Sequence, residues 1–106
     1  MTTSPHDYRR PMLLSAVREL ITRARSERAV MEQSSPERRF YLGVEAAAEE
    51  VLHPELTSAR DERWLGREAP PFRSGYLQTK SLLGAAMTSE EPPQHLPLPD
   101  SSTVRS

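Results

Sequence analysis

Residues 35–53 read SPERRFYLGVEAAAEEVLH, and this stretch decides the fold. Ser35 is a good N-cap, because its hydroxyl can accept a bond from an otherwise orphaned helical N–H. Pro36 then falls at the first helical position, where a missing N–H costs nothing. Glu37 suits the positive end of the helix dipole, and a protonated His53 suits the negative end. Pro54 disfavours helical geometry at His53 and ends the helix there. At about 100° per residue, Phe40, Tyr41, Val44, Ala47, Ala48, Val51 and Leu52 share an arc roughly 140° wide. Arg38, Arg39, Glu45, Glu49 and Glu50 fall outside it and read as a solvated face. Gly43, Ala47 and Ala48 are small enough to let a second helix approach closely.

Upstream, a first helix is expected from Pro11. Leu13, Leu14, Val17, Leu20, Ile21 and Ala24 lie on one arc of roughly 120°. Arg28 interrupts the heptad spacing between Ala24 and Met31, so the helix is expected to fray after Glu27 or to snorkel Arg28 outward. The short link Gln33–Pro36 makes the two helices an antiparallel hairpin with facing apolar arcs.

Downstream the periodicity is poorer. Ser58 and Asp61 resemble a capping box, which predicts a short helix over Ser58–Glu68. Ala69-Pro70-Pro71 breaks it. A last helix begins near Pro71, with Phe72, Gly75, Tyr76, Leu82, Leu83, Ala86 and Met87 on one arc and Thr79 at its centre. A buried threonine there can bond the carbonyl four residues back. Gly75 and Gly84 each weaken the helix by ~1 kcal/mol relative to Ala. From Thr88 onward the composition is that of a disordered tail. Within it, Gln94–Pro99 can sample polyproline II and offer Leu96 and Leu98 to a partner. The expected organisation is a flexible arm (1–10), a helical domain (11–87) and a disordered Pro-rich tail (88–106). The fold class is all-α: a small helical bundle of a hairpin, a short connecting helix and a third packing helix.

Bulk composition narrows the function. Of 106 residues only 36% are hydrophobic and ten are proline, so the core is small. A partner or a second copy would complete it, which makes a homodimer a natural expectation. Residues 1–40 carry eight Arg against five acids, net +3, and residues 41–106 carry six bases against ten acids, net −4. Thirteen of the fourteen bases are Arg, Lys80 being the other, a usage that suggests a GC-rich bacterial genome. The absence of cysteine excludes disulfides, thiolate catalysis and Cys-zinc sites. No apolar run approaches the ~20 residues needed to span a bilayer. The N-terminus lacks the apolar core of a secretory signal, so a cytoplasmic location is expected.

Catalysis has little to draw on. His6, His53 and His95 fall in an arm, a helix end and a tail, and the four glycines are too scattered for a phosphate loop. No cofactor or metal is assigned. Glu50-Val51-Leu52-His53 resembles the Glu-x-x-His pair of di-iron bundles and of half-size ferritin-like proteins from encapsulin shells, but the further carboxylates of that pattern do not follow. Trp64-Leu65-Gly66 resembles the Trp-x-Gly turn of small actinobacterial secretion substrates, although Pro36 and Pro54 divide what would be one long helix.

Two binding modes remain. Arg63, Trp64, Phe72, Arg73 and Tyr76 form an aromatic-and-Arg group of the kind enriched at interface hot spots, and the expectation is a non-enzymatic interaction or regulatory protein that uses it. The alternative is a nucleic-acid-binding regulator whose basic strip is Arg9, Arg10, Arg18 and Arg25.

Overall fold

The computed structural model describes residues 5–60, 63–88 and 95–101. Its α-helices are α1 (Pro5–Ala29), α2 (Pro36–Leu52), α3 (Glu55–Ala59) and α4 (Pro70–Thr88), with a 3-10 turn at Leu65–Arg67. No strand occurs among the described residues, and the chain is the expected all-α bundle.

Helix α2 begins as its residues dictate. Ser35 is extended, its hydroxyl accepts from the Arg38 N–H at 3.1 Å, and Pro36 follows at the first position. The helix packs against α1 on one side and α4 on the other. Phe40, Val44, Ala47 and Ala48 are fully buried. Facing them on α1 are Val17, Leu20, Ile21 and Ala24, again as the spacing predicts. Arg25 reaches Glu49 while Arg28, later in α1, reaches Glu45, which is earlier in α2, so the hairpin is antiparallel.

Helix α4 crosses α2 where both lack side chains. A Cβ on Gly43 would collide with the Phe72 carbonyl oxygen and lie 2.9 Å from the Tyr76 nitrogen. A Cβ on Gly75 would collide with the Phe40 carbonyl. Gly75 meets Phe40 and Lys80 meets Glu50, so α4 runs in the same sense as α2. A short turn cannot join helices that run the same way, and the described residues 53–60 and 63–69 lie on the return between them.

Several local expectations are revised. Helix α1 starts at Pro5 rather than Pro11, so Pro11 sits inside it and removes one rung of the backbone ladder. It also runs past Glu27 to Ala29, because Arg28 finds a carboxylate at its end. The helix expected over Ser58–Glu68 is displaced. Helix α3 is only five residues long and starts at Glu55, with Pro54 as its N-cap and Ser58 in its interior, so Ser58 caps nothing. Asp61, its supposed partner, lies outside the described residues. Met87 is 58% exposed, since it lies at the edge of the apolar arc in the last turn of α4. Thr79 is buried as expected, but its hydroxyl makes no hydrogen bond, to the carbonyl four residues back or elsewhere among the described residues. The tail expected from residue 88 holds a docked segment: Leu96 and Ser101 are buried. Residues 89–94 and 102–106 lie outside the described residues.

Two experiments follow from this packing. Gly43→Ala or Gly75→Ala should destabilise the fold by at least about 2 kcal/mol, because backbone atoms of a facing helix must move. Gly84→Ala meets nothing within 4 Å and should stabilise by about 1 kcal/mol. Urea unfolding of the three variants measures the contrast. In the same assay Thr79→Val should stabilise by about 1 kcal/mol, since it removes an unsatisfied buried hydroxyl at nearly constant shape.

Candidate functional site

The flanking helices leave α2 little solvent face. Its buried residues widen the expected 140° arc to roughly 260°, from Glu45 on the α1 side, through Val44, to Gly43, Glu50 and Ala46 on the α4 side. Glu45 and Glu50, expected in solvent, are therefore each only 5% exposed. A buried carboxylate must be paired and hydrogen-bonded, and both are.

Glu45 is held by α1. Arg25 Nε donates to it at 2.9 Å and Arg28 Nε at 2.5 Å. Glu50 is held by the return segment and α4. Its Oε2 accepts from Arg60 Nη1 and from the Tyr76 hydroxyl, each at 2.5 Å. Its Oε1 accepts from the Thr57 hydroxyl at 3.0 Å and from Lys80 Nζ at 3.3 Å. Burial alone would push the Glu50 carboxyl up. The hydrogen bonds from Tyr76, Thr57 and Arg60, with the Lys80 charge, outweigh it and hold the carboxyl below its usual range. Burial and the Glu50 carboxylate push the Tyr76 hydroxyl up to about 12.

The aromatic rings build on this centre. Trp64 packs edge-on against Phe72, with centroids 5.7 Å apart, and against Tyr76 at 5.3 Å. The Arg60 guanidinium lies 4.2 Å from the Trp64 ring centre, so one side chain ties the rings to Glu50. All three aromatics are half-buried. The structure thus brings together Trp64, Phe72 and Tyr76 of the expected group. The arginine stacked on the tryptophan is Arg60, which the sequence reading missed. Arg63 is exposed and Arg73 half-buried, and neither is the residue stacked on Trp64. Thr57, Lys80 and Glu50 were missed as well. The available signal was Ala46, an apolar residue opposite the main arc, which marks a second buried face.

The other expected sites are arranged differently. Arg18 and Arg25 flank an open groove of about 500 Å³ between α1 and α2, with Ile21, Glu49, Leu52 and His53. Arg25 is committed to Glu45 and Glu49, so the strip is of mixed charge. The side chains of Arg9 and Arg10 lie outside the described residues. His53 sits 3.6 Å from Glu55 and, among the described residues, shares no side-chain partner with Glu50, so the Glu-x-x-His pair is split between two networks. Among the described residues no three His, Cys, Asp or Glu side chains converge as a metal site. Trp64-Leu65-Gly66 leads into the 3-10 turn and does not join two long helices.

The Glu50 centre makes stability pH-dependent in a defined direction. Its folded pKa is lowered, so its contribution is present above the unfolded value of about 4.3 and is lost as pH falls through the lower folded value. Glu50→Gln should flatten that acid limb of a stability–pH curve. Glu50→Ala should cost about 3 kcal/mol at pH 7, by leaving Arg60 unpaired. Tyr76 has a raised pKa, so its contribution is full below about pH 10 and is lost as pH rises toward 12. Ultraviolet titration should show a tyrosine ionisation near 12 in the native chain that is lost in Tyr76→Phe.

No protein-family model, curated protein or solved structure matches this chain.

Proposed function

We propose that this chain is a small non-enzymatic interaction or regulatory protein of the bacterial cytoplasm that binds a protein partner, or a second copy of itself, through the Trp64–Tyr76 surface. The supporting observation is the arrangement of Trp64 against Phe72 and Tyr76, with Arg60 stacked on its ring and anchored to buried Glu50. Half-buried aromatics fixed by a second layer lose little entropy when a partner covers them, which is the character of an interface hot spot.

The polar groups beneath the rings suit a scaffold. Both Glu50 oxygens are already engaged, and a tyrosine held neutral up to about 12 transfers no proton near neutral pH. The preference for Arg over Lys supports a bacterial source, and no helix among the described residues is long and apolar enough to cross a membrane.

Affinity capture with the wild-type chain and with Trp64→Ala as baits tests the proposal, with Ser81→Ala as an exposed α4 control. A protein, or the chain itself, should be retained by wild type and Ser81→Ala, lost with Trp64→Ala, and only weakly sensitive to salt. Retention that ignores Trp64 contradicts the proposal. Steep loss with salt points instead to phosphate contacts and the nucleic-acid alternative.

A further inference from the structure

The segment His95–Ser101 is seated on α1, a different surface from the aromatic cluster. Arg23 Nη2 donates to the Leu96 carbonyl oxygen, and His95 Nδ1 lies 2.9 Å from Glu19 Oε1. Glu19 also lies 3.5 Å from Arg23 Nε, so the same carboxylate contacts both the arginine and the histidine. Glu19 and Arg23 flank the side of α1 that carries Ala16 and Leu20, which are 1% and 0% exposed. Leu96 joins the core cluster at 2% exposure and Leu98 packs against it, while Pro97 is exposed.

The chemistry of this segment is that of a peptide ligand. Leu96 and Leu98 each precede a proline and are biased to extended geometry, and Pro97 and Pro99 are fixed near the polyproline value. Such a segment has lost much of its conformational freedom before it docks. Its prolines carry no N–H, so little backbone polarity has to be satisfied, and the Leu96 carbonyl is met by a charged donor. The segment buries Leu96 and Ser101, packs Leu98 against the core, and meets α1 through the Arg23 bond and an exposed His95–Glu19 contact. These contacts are opposed by the entropy of ordering the segment, so docking is reversible.

We infer that the Ala16–Leu20–Arg23 face of α1 is a peptide-binding groove that accepts an extended Leu-Pro-Leu-Pro segment of a partner protein, and that the chain's own tail fills it as the competing ligand. The occupant is specified by what the groove now holds: a leucine for the apolar slot, a proline after it to keep the backbone extended, and a carbonyl for Arg23. A tethered segment competes at an effective concentration on the order of millimolar, so partners gain access when the tail is weakened or when their own local concentration is high.

The test uses the full chain and a fluorescein-labelled peptide PQHLPLPDS, the sequence of residues 93–101, as the partner's stand-in. Fluorescence anisotropy should show Leu96→Asp full chain binding this peptide about tenfold or more tighter than wild type, because the tail no longer competes. The same peptide carrying Leu96→Asp should not bind. Circular dichroism checks that the Leu96→Asp chain stays helical. Independently of that variant, wild-type chain labelled for NMR and given excess unlabelled peptide should show the signals of His95–Ser101 moving to a released position, while Ala16 and Leu20 keep their bound shifts. A folded Leu96→Asp chain with no gain in affinity, or tail signals unmoved by excess peptide, overturns the inference. So does a wild-type dimer in light scattering that vanishes with Leu96→Asp, because the groove's occupant would then be a second copy's tail.

Discussion

The close approach of α2 and α4 at Gly43 and Gly75 is the constraint on which the rest of the bundle depends. With no side chains at the crossing, the two backbones touch, and α4 sits deep enough for Tyr76 and Lys80 to reach Glu50. Glu50 in turn holds Arg60, which fixes the return segment and stacks on Trp64. Two absent side chains on facing helices thus set the place of a buried carboxylate, a loop and an aromatic cluster.

Packing α2 on both sides has an electrostatic cost. Its seventeen residues include two buried carboxylates, each of which would be expensive in isolation. Each is answered from a different flank, Glu45 by Arg25 and Arg28 of α1 and Glu50 by Arg60, Lys80, Tyr76 and Thr57. Buried pairs of this kind add little net stability over apolar packing, but an incorrect register strands a charge. They therefore act as pins that fix which part of α1 and of α4 meets α2. The same two-sided packing accounts for a workable core in a chain so poor in large apolar residues, because α2 contributes to both of its interfaces.

The main helices, the Ser35 cap, the hairpin and most of the core were legible in the sequence, because capping chemistry and the 3.6-residue period are local signals. Glu45 and Glu50 were not, since a glutamate outside the main arc looks alike whether it faces water or a second helix. Only Ala46 and Gly43, small residues beyond the arc, marked the second buried face. The aromatic group was legible by type, yet its arginine was misassigned: chain proximity favoured Arg63, whereas the anchor is Arg60, selected by its ion pair with Glu50. The tail was read by composition, which measures the average burial available to a segment and misses a single leucine inserted into the core. Residues 53–60 and 63–69 were the least legible, since Thr57 and Arg60 are placed by their Glu50 contacts and not by a periodic face of their own.

Amide hydrogen exchange followed residue by residue tests the central role of α2 most directly. If α2 is the shared wall of the bundle, the amides of Val44–Ala48 exchange slowest and open only with global unfolding, those of α1 and α4 are no better protected, and those of α3 exchange far faster. Val44–Ala48 amides that exchange by local opening, ahead of α1 or α4, would contradict it.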